Sequence, residues 1–245
     1  MSGGVGPVNK DIRLPDDELP PPPSPSLPSK YTPRFFHLLS FRQLNAFAVI
    51  VVLAFGGLVS ISDVTFLLFS FAYTTFIARF AFPPRVDHLR APGVFKQGSK
   101  LLGLYVALGA LIGIVAPVVY LAEGVVDGDR EGVKAAAPHL FLLCSQVLVE
   151  GWVDSGRYSP AARSFVPVYY NARRVSAVYD WVVAELQKGL GHVRSPLRLH
   201  IGRALAVANL GFWCFNLFFF LLPVYLPRVM KLYYLGDAAE DRSRE

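Results

Sequence analysis

Four polar side chains lie on one face of an otherwise apolar segment, and their types could do proton chemistry. His139, Gln146 and Glu150 are spaced by seven and four residues, so on an α-helix they fall within about 40° of one another. Asp154 extends this stripe. Ionisable groups inside a membrane are costly and usually face a bundle interior or a water-filled path. One interpretation of the stripe is a proton relay or a polar ligand pocket. The other is a helix whose ends are hydrated and whose Gln146 hydrogen-bonds to a neighbouring helix.

The remaining sequence contains no catalytic pattern. It has no His-rich metal spacing, no phosphate-binding glycine loop after a strand and no Gly-Xaa-Ser-Xaa-Gly elbow. Both cysteines, Cys144 and Cys214, lie in apolar segments and are interpreted as small packing residues. We therefore predict no catalytic residue, no metal site and no cofactor.

The elements that must position the stripe are long apolar segments. The chain has 245 residues, is 53% hydrophobic and carries a net charge of +6. Its mean hydropathy is +0.40. A helix needs about 20 apolar residues to cross the hydrocarbon layer, so the sequence predicts an all-α, polytopic transmembrane helical bundle of five spans. The predicted spans are 44–61, 64–82, 101–122, 136–153 and 204–226.

The first two predicted spans are nearly continuous. As one helix, residues 44–82 would measure about 60 Å, roughly twice the hydrocarbon thickness. Ser62 and Asp63 form the only polar break, and both can cap the second helix. A tight helical hairpin is therefore predicted to turn at these two residues.

The connections between spans alternate in charge, which predicts an orientation. Connections 83–100 and 154–203 are basic, whereas 123–135 is acidic. If the fourth span crosses, both basic connections and the N-terminus face the cytosol, as the positive-inside tendency requires, and the C-terminus faces away. Eight cations of the second basic connection then share the cytosolic face: Arg157, Arg163, Arg173, Arg174, Lys188, Arg194, Arg198 and Arg203.

Residues 173–190 between the last two spans are predicted to form one interfacial amphipathic helix. The predicted apolar face consists of Val175, Val178, Tyr179, Val182, Leu186 and Leu190. Trp181 falls off this face. Such a helix lies on the membrane or against the bundle.

Small and amide residues predict helix packing. Gly109 and Gly113 form a Gly-Xaa-Xaa-Xaa-Gly pair, interpreted as intramolecular packing rather than dimerisation. Asn209 and Asn216 are seven residues apart and are expected to hydrogen-bond to the polar stripe of the fourth span.

A second group of basic residues precedes the last span. Arg194, Arg198 and Arg203 are candidate contacts for anionic lipid headgroups. The alternative is that these cations only orient the span. Because the basic residues flank apolar segments, lipid headgroups explain the net charge better than nucleic acid, which we do not expect as a partner.

Both ends of the chain are predicted to lie outside the transmembrane domain, 34–235. Residues 1–33 are Pro-rich, with a run at 20–23, and are predicted to form a disordered cytosolic tail. This tail is either a solvated spacer or a docking strip for an aromatic-lined protein domain. Residues 236–245 are a polar tail. No cleavable signal is apparent, so the first span is expected to target the chain to the membrane.

One stretch of the chain resembles a known family. Glu150, the run Arg163-Ser-Phe-Val-Pro-Val-Tyr-Tyr-Asn171, the pair Arg173-Arg174 and the pair Asp180-Trp181 resemble uncharacterised land-plant multi-pass membrane proteins. The resemblance implies a multi-pass α-helical plant membrane protein, and it transfers no functional residues.

The predicted function is that of an integral membrane protein acting as a non-enzymatic accessory or scaffold component. Two alternatives remain: a small transporter or channel using the stripe His139, Gln146, Glu150 and Asp154, and, least favoured, a membrane-embedded enzyme. The lipid bilayer is the expected partner. The organelle is not indicated.

Overall fold

The computed structural model describes residues 40–84, 100–154, 157–189 and 195–244, with side chains up to 235. Every regular element in these ranges is helical. Short π-helical segments interrupt two of the long helices, at Leu111–Val115 and Asn216–Tyr225. The helices are α1 (Phe41–Phe55), α2 (Ile61–Phe80), α3 (Lys100–Ala110), α4 (Ala116–Asp127), α5 (Arg130–Val153), α6 (Pro160–Gln187), α7 (Pro196–Phe215) and α8 (Leu226–Arg244).

Four of the described helical stretches are long and apolar enough to cross a membrane. They are Ile61–Phe80, Lys100–Asp127, Arg130–Val153 and Pro196–Leu235. Helix α1 is apolar but has only 15 residues. Large apolar side chains are exposed along these helices, as expected where lipid replaces water as the solvent. The predicted all-α helical bundle is confirmed.

Helix α6 runs through the middle of the bundle and packs against α2, α5 and α7. It is antiparallel to α2: the Ser70 and Tyr170 hydroxyls are 2.9 Å apart, and the Ser159 hydroxyl donates to the carbonyl of Phe82 at 2.7 Å. Tyr170 is fully buried. The described chain therefore makes six passes along the bundle, with α6 as the fifth.

The passes connect two ends of the bundle. At the Glu150 end, α1 begins beside the last turn of α5, where a Cβ on Gly151 would collide with Gln43. At the Asp129 end, the α4–α5 connection meets the end of α6 and the start of α7, because Asp129 contacts both Lys188 and Arg198.

The α1–α2 turn lies earlier than predicted. Helix α1 ends at Phe55, and Gly57 takes a left-handed conformation with φ of +67°, which glycine adopts without steric cost. Ser60 then caps α2 in a reciprocal box with Asp63. Asp63 thus belongs to the first turn of α2, where it pairs with Arg173 at 2.7 Å.

The predicted interfacial helix 173–190 is instead the second half of α6, and its buried face differs from the predicted one. Trp181, Arg174 and Glu185 are at most 1% exposed, whereas Tyr179 and Leu186 are each 58% exposed. The apolar periodicity failed here because buried polar side chains face partners on other helices. Leu190 lies outside the described residues.

The predicted grouping of eight cations in connection 154–203 was also wrong. Since α6 returns through the bundle, these cations are divided along its length. Arg163 lies at the Glu150 end, while Lys188 and Arg198 contact Asp129 of the acidic connection at the opposite end. Arg174 is buried between the ends.

Candidate functional site

The structure divides the predicted polar stripe into separate contacts. Gln146 donates from Nε2 to Oε1 of Glu150 at 2.7 Å, so only these two members touch. Asp154 follows α5 and pairs with Arg163 at 2.8 Å. His139 is fully buried and bonds to the carbonyl of Gly113 on a different helix. Among the four residues of the stripe, the direct side-chain contact is therefore that of Gln146 with Glu150.

His139 supports the first π-helical segment. Its Nε2 lies 2.8 Å from the Gly113 carbonyl oxygen, and because a carbonyl only accepts, Nε2 carries the proton. Pro117, four residues after Gly113, has no N–H to offer this carbonyl. The imidazole fills that vacancy while packing between the rings of Trp181 and Trp213, at 6.2 and 5.9 Å.

A polar chain leads inward from Glu150 to a buried arginine. Arg174 is 1% exposed, and its Nη2 donates to Oε1 of Gln146 at 2.6 Å. Gln146 therefore bridges Glu150 and Arg174. On the other side, Asn171 donates to the carbonyl of Trp213 at 3.1 Å, and the guanidinium of Arg174 lies 4.2 Å from the Trp213 ring centre. These side-chain contacts connect α5, α6 and α7.

Glu150 also faces a cavity of about 230 Å³ at its end of the bundle. Arg42 from the first turn of α1 and Tyr225 from the second π-helical segment line it. Asp154 and Arg163 complete its charged wall. Charges of both signs surround this space, so it suits a polar ligand.

A second cluster, at the Asp129 end, is a buried ion network. It consists of Asp129, Glu185, Lys188 and Arg198, each at most 6% exposed. Lys188 bridges the two carboxylates, at 2.7 Å from Glu185 and 3.3 Å from Asp129. Arg198 contacts Asp129 at 3.2 Å. Arg198 also lies 3.8 Å from the more exposed Glu123 and 4.0 Å from Asp127, so both buried cations have more than one carboxylate partner.

Tyr120 holds this ion network from α4. Its hydroxyl donates to Glu185 at 2.5 Å, and its ring lies 4.6 Å below the Arg198 guanidinium. Arg198 in turn donates to the backbone carbonyl of Tyr120 at 3.3 Å. Residues from α4, the α4–α5 connection, α6 and α7 therefore meet in one cluster.

The pKa of Asp129 is held below its ordinary value. Burial opposes ionisation of this carboxyl, but the hydrogen bond from the Gly132 N–H and the positive charges of Lys188 and Arg198 outweigh it. Asp129 also caps α5, accepting from Gly132 at 2.9 Å. The carboxylate is thus stabilised both by its charged partners and by the helix N-terminus.

Three glycines on three helices make room for the ion network. A Cβ on Gly202 of α7 would lie 2.6 Å from Oε2 of Glu185. One on Gly124 of α4 would lie 2.5 Å from Nη2 of Arg198, and one on Gly132 of α5 would collide with Asp129. Each of these positions therefore has no space for a larger residue.

The other predicted packing residues lie on the α3–α4 and α7 surfaces. Gly109 and Gly113 face Phe212 and Trp213, where an added Cβ would be within 2.8 and 2.6 Å.

Neither asparagine, Asn209 or Asn216, contacts the polar stripe as expected. Asn209 accepts from Trp213 on its own helix at 3.3 Å, and Asn216 accepts from Tyr105 at 2.5 Å.

Two of the predicted lipid-binding arginines are used within the protein. Arg198 is 6% exposed in the ion network. Arg203 donates to backbone carbonyls at the end of α6, including that of Lys188 at 2.8 Å. Because α6 lacks a glycine cap, these bonds satisfy its terminal carbonyls. Arg194 lies outside the described residues.

Tyr120 and Glu185 were not predicted as site residues, and Lys188 and Arg174 were expected at the membrane surface. One signal was available: Glu185 and Lys188 are three residues apart and share a helical face. Their partners come from distant segments, so spacing alone could not reveal them. Among the described residues, no group of three or more His, Cys, Asp or Glu side chains is arranged for a metal ion.

A family model described as "Domain of unknown function (DUF7733)" matches residues 39–234. No curated protein matched the chain, and no solved structure matched it.

Proposed function

Since this chain belongs to the DUF7733 family, which has no assigned activity, we propose its function from its architecture. The protein is a multi-pass membrane protein, as in the land-plant proteins that it resembles, and acts as a non-enzymatic accessory or scaffold component. The bilayer is its partner along the exposed apolar helices.

The observation that carries this proposal is the internal pairing of the ion network. Asp129, Glu185, Lys188 and Arg198 join three chain segments through their ion pairs, and Tyr120 adds α4 through its bond to Glu185. Buried charge pairs often add little net stability over an apolar core, whereas loss of one partner is costly. In the proposed function the role of this network is to specify which helices associate. Such a network suits a bundle that keeps one arrangement and presents a constant surface to partners.

The proposed topology places the start of α1 and the start of α8 on the same side. Six passes bring the chain back to the Glu150 end before Leu226. The described cations at this end include Arg42, Arg79 and Arg163, whereas at the Asp129 end Lys188 and Arg198 are buried in the ion network. The positive-inside tendency then favours a cytosolic Glu150 end.

A proteoliposome experiment tests the scaffold function. The purified full-length chain, reconstituted at known orientation, is expected to give proton and ion flux equal to that of empty vesicles. Chemical cross-linking in native membranes is expected to recover a stoichiometric protein partner. Flux above the control that is lost in Glu150→Gln would contradict the scaffold function.

One observation favours a second candidate function, a small transporter or channel. The polar chain Glu150–Gln146–Arg174 begins at an open cavity and reaches the middle of the bundle. In this alternative Glu150 exchanges a proton or cation with the cavity. The same flux assay distinguishes it from the scaffold.

A further inference from the structure

The cavity at the Glu150 end brings together two carboxylates, of Glu150 and Asp154, and two guanidinium groups, of Arg42 and Arg163. Asp154 and Arg163 pair with each other at 2.8 Å. Glu150 receives a hydrogen bond from Gln146, and no carboxylate among the described residues lies within ion-pair distance of Arg42. The cavity thus presents one carboxylate and one guanidinium to any occupant.

Close packing of α1 on α5 places Arg42 and Glu150 on the wall of the same cavity. Gly151 has no side chain, and Gln43 occupies the space where its Cβ would lie. Gln43 is itself locked by a reciprocal capping box with Ser40 at the start of α1. Arg42, the neighbour of Gln43, is therefore held at the rim of the cavity beside Glu150.

Size limits the occupant. The cavity volume is about 230 Å³, and one water occupies about 30 Å³ of liquid, so roughly eight non-hydrogen atoms fit. A phosphoethanolamine group has about this number of atoms. Its ammonium is a hydrogen-bond donor for Glu150, and its phosphate suits the planar guanidinium of Arg42.

The location of the cavity indicates the source of a phosphoethanolamine group. The cavity lies beside the last turn of α5, where α1 begins. In a membrane-spanning bundle this is the depth of lipid headgroups. We propose that the cavity binds a phosphoethanolamine group, presented by a membrane lipid, with Glu150 holding the ammonium and Arg42 the phosphate. The inference rests on the proposed membrane location.

Native mass spectrometry of the full-length protein in detergent tests this site. The protein is titrated with dioleoylphosphatidylethanolamine or dioleoylphosphatidylcholine, and bound lipids are counted. We expect preference for the ethanolamine lipid, because a trimethylammonium group donates no N–H bond to Glu150 and is bulkier. Glu150→Gln and Arg42→Gln should each weaken this binding by about tenfold, as expected for the loss of one charge-assisted hydrogen bond.

Arg79→Gln is the matched control, since Arg79 is an exposed cation near the same end that does not line the cavity. It should leave ethanolamine-lipid binding unchanged. A soluble arm uses free phosphoethanolamine in a thermal-shift assay. If free phosphoethanolamine binds in a way that depends on Arg42 and Glu150, and no lipid is retained, the site is supported. The natural ligand is then a soluble molecule rather than a membrane lipid.

Equal binding of the two lipids together with no response to free phosphoethanolamine would overturn the inference, as would full binding by the Arg42→Gln variant. Arg42 is exposed on the first turn of α1, so Arg42→Gln is expected to fold. This variant therefore tests the site even if Glu150→Gln does not fold. Extraction of the protein from native membranes by alkaline carbonate would instead contradict the proposed membrane location, independently of lipid preference.

Discussion

Lys188 at the end of α6 contacts Asp129 in the α4–α5 connection, with Nζ and Oδ2 3.3 Å apart. The two residues are 59 positions apart in sequence. Their contact places the end of α6 beside the acidic connection, so α6 must run back through the bundle. This pair therefore determines the path of the chain as well as the charge balance of the ion network.

Removing one partner of this pair should destabilise the bundle strongly. Lys188→Met leaves two buried carboxylates without their shared cation, which typically costs about 3–5 kcal/mol of unfolding free energy. Thermal unfolding in detergent measures the loss. Lys134→Met is the control, because Lys134 is exposed on the nearby first turns of α5 and should change stability by less than about 0.5 kcal/mol. Equal melting of both variants would contradict the ion network.

Adding a methyl group at Gly202 should disrupt the same cluster. The new Cβ would lie 2.6 Å from Glu185 Oε2 and 2.9 Å from the Tyr120 hydroxyl, so Gly202→Ala is expected to lower stability by about 1–3 kcal/mol. Gly211 lies on the same helix with nothing within 4 Å of an added Cβ. Gly211→Ala should be neutral or stabilising by up to about 1 kcal/mol. The difference between the two melting temperatures is the measurement.

Acid should weaken the contribution of Asp129 in a defined range. Its folded pKa lies below the ordinary value of 3.8, so its stabilisation is present above that value and is lost as pH falls through the folded pKa. Melting temperatures of the wild type and Asp129→Asn should differ by a constant amount from pH 8 to about 5 and converge below about pH 4. A difference that instead closes between pH 8 and 6 would argue against an ionised Asp129.

Tags on the two termini should be on the same side of the membrane. Six helical passes return the chain to the Glu150 end, and the positive-inside tendency favours the cytosol for that end. Protease protection of N- and C-terminal epitopes in sealed microsomes is the measurement, with a lumenal marker protein as the control. An accessible N-terminal tag with a protected C-terminal tag would support five crossings instead.

The polar stripe shows how far sequence reasoning could go at the candidate site. The spacing of Gln146 and Glu150 is a property of one helix, so their contact followed from periodicity. His139 and Asp154 share that face, yet they bond to Gly113 and Arg163 on other helices. A one-dimensional pattern specifies a face but not the neighbour that the face meets.

The sequence by itself determined the helical class and the apolar segments, because backbone hydrogen bonds are local and the long apolar runs require burial in lipid or protein. Only the tertiary structure decided the place of α6. Its polar residues suggested a surface helix, but Arg174, Glu185 and Lys188 are buried against partners from α4, α5 and the α4–α5 connection. A charge becomes tolerable inside a bundle only when its partner is near, and that nearness is set by the path of the whole chain.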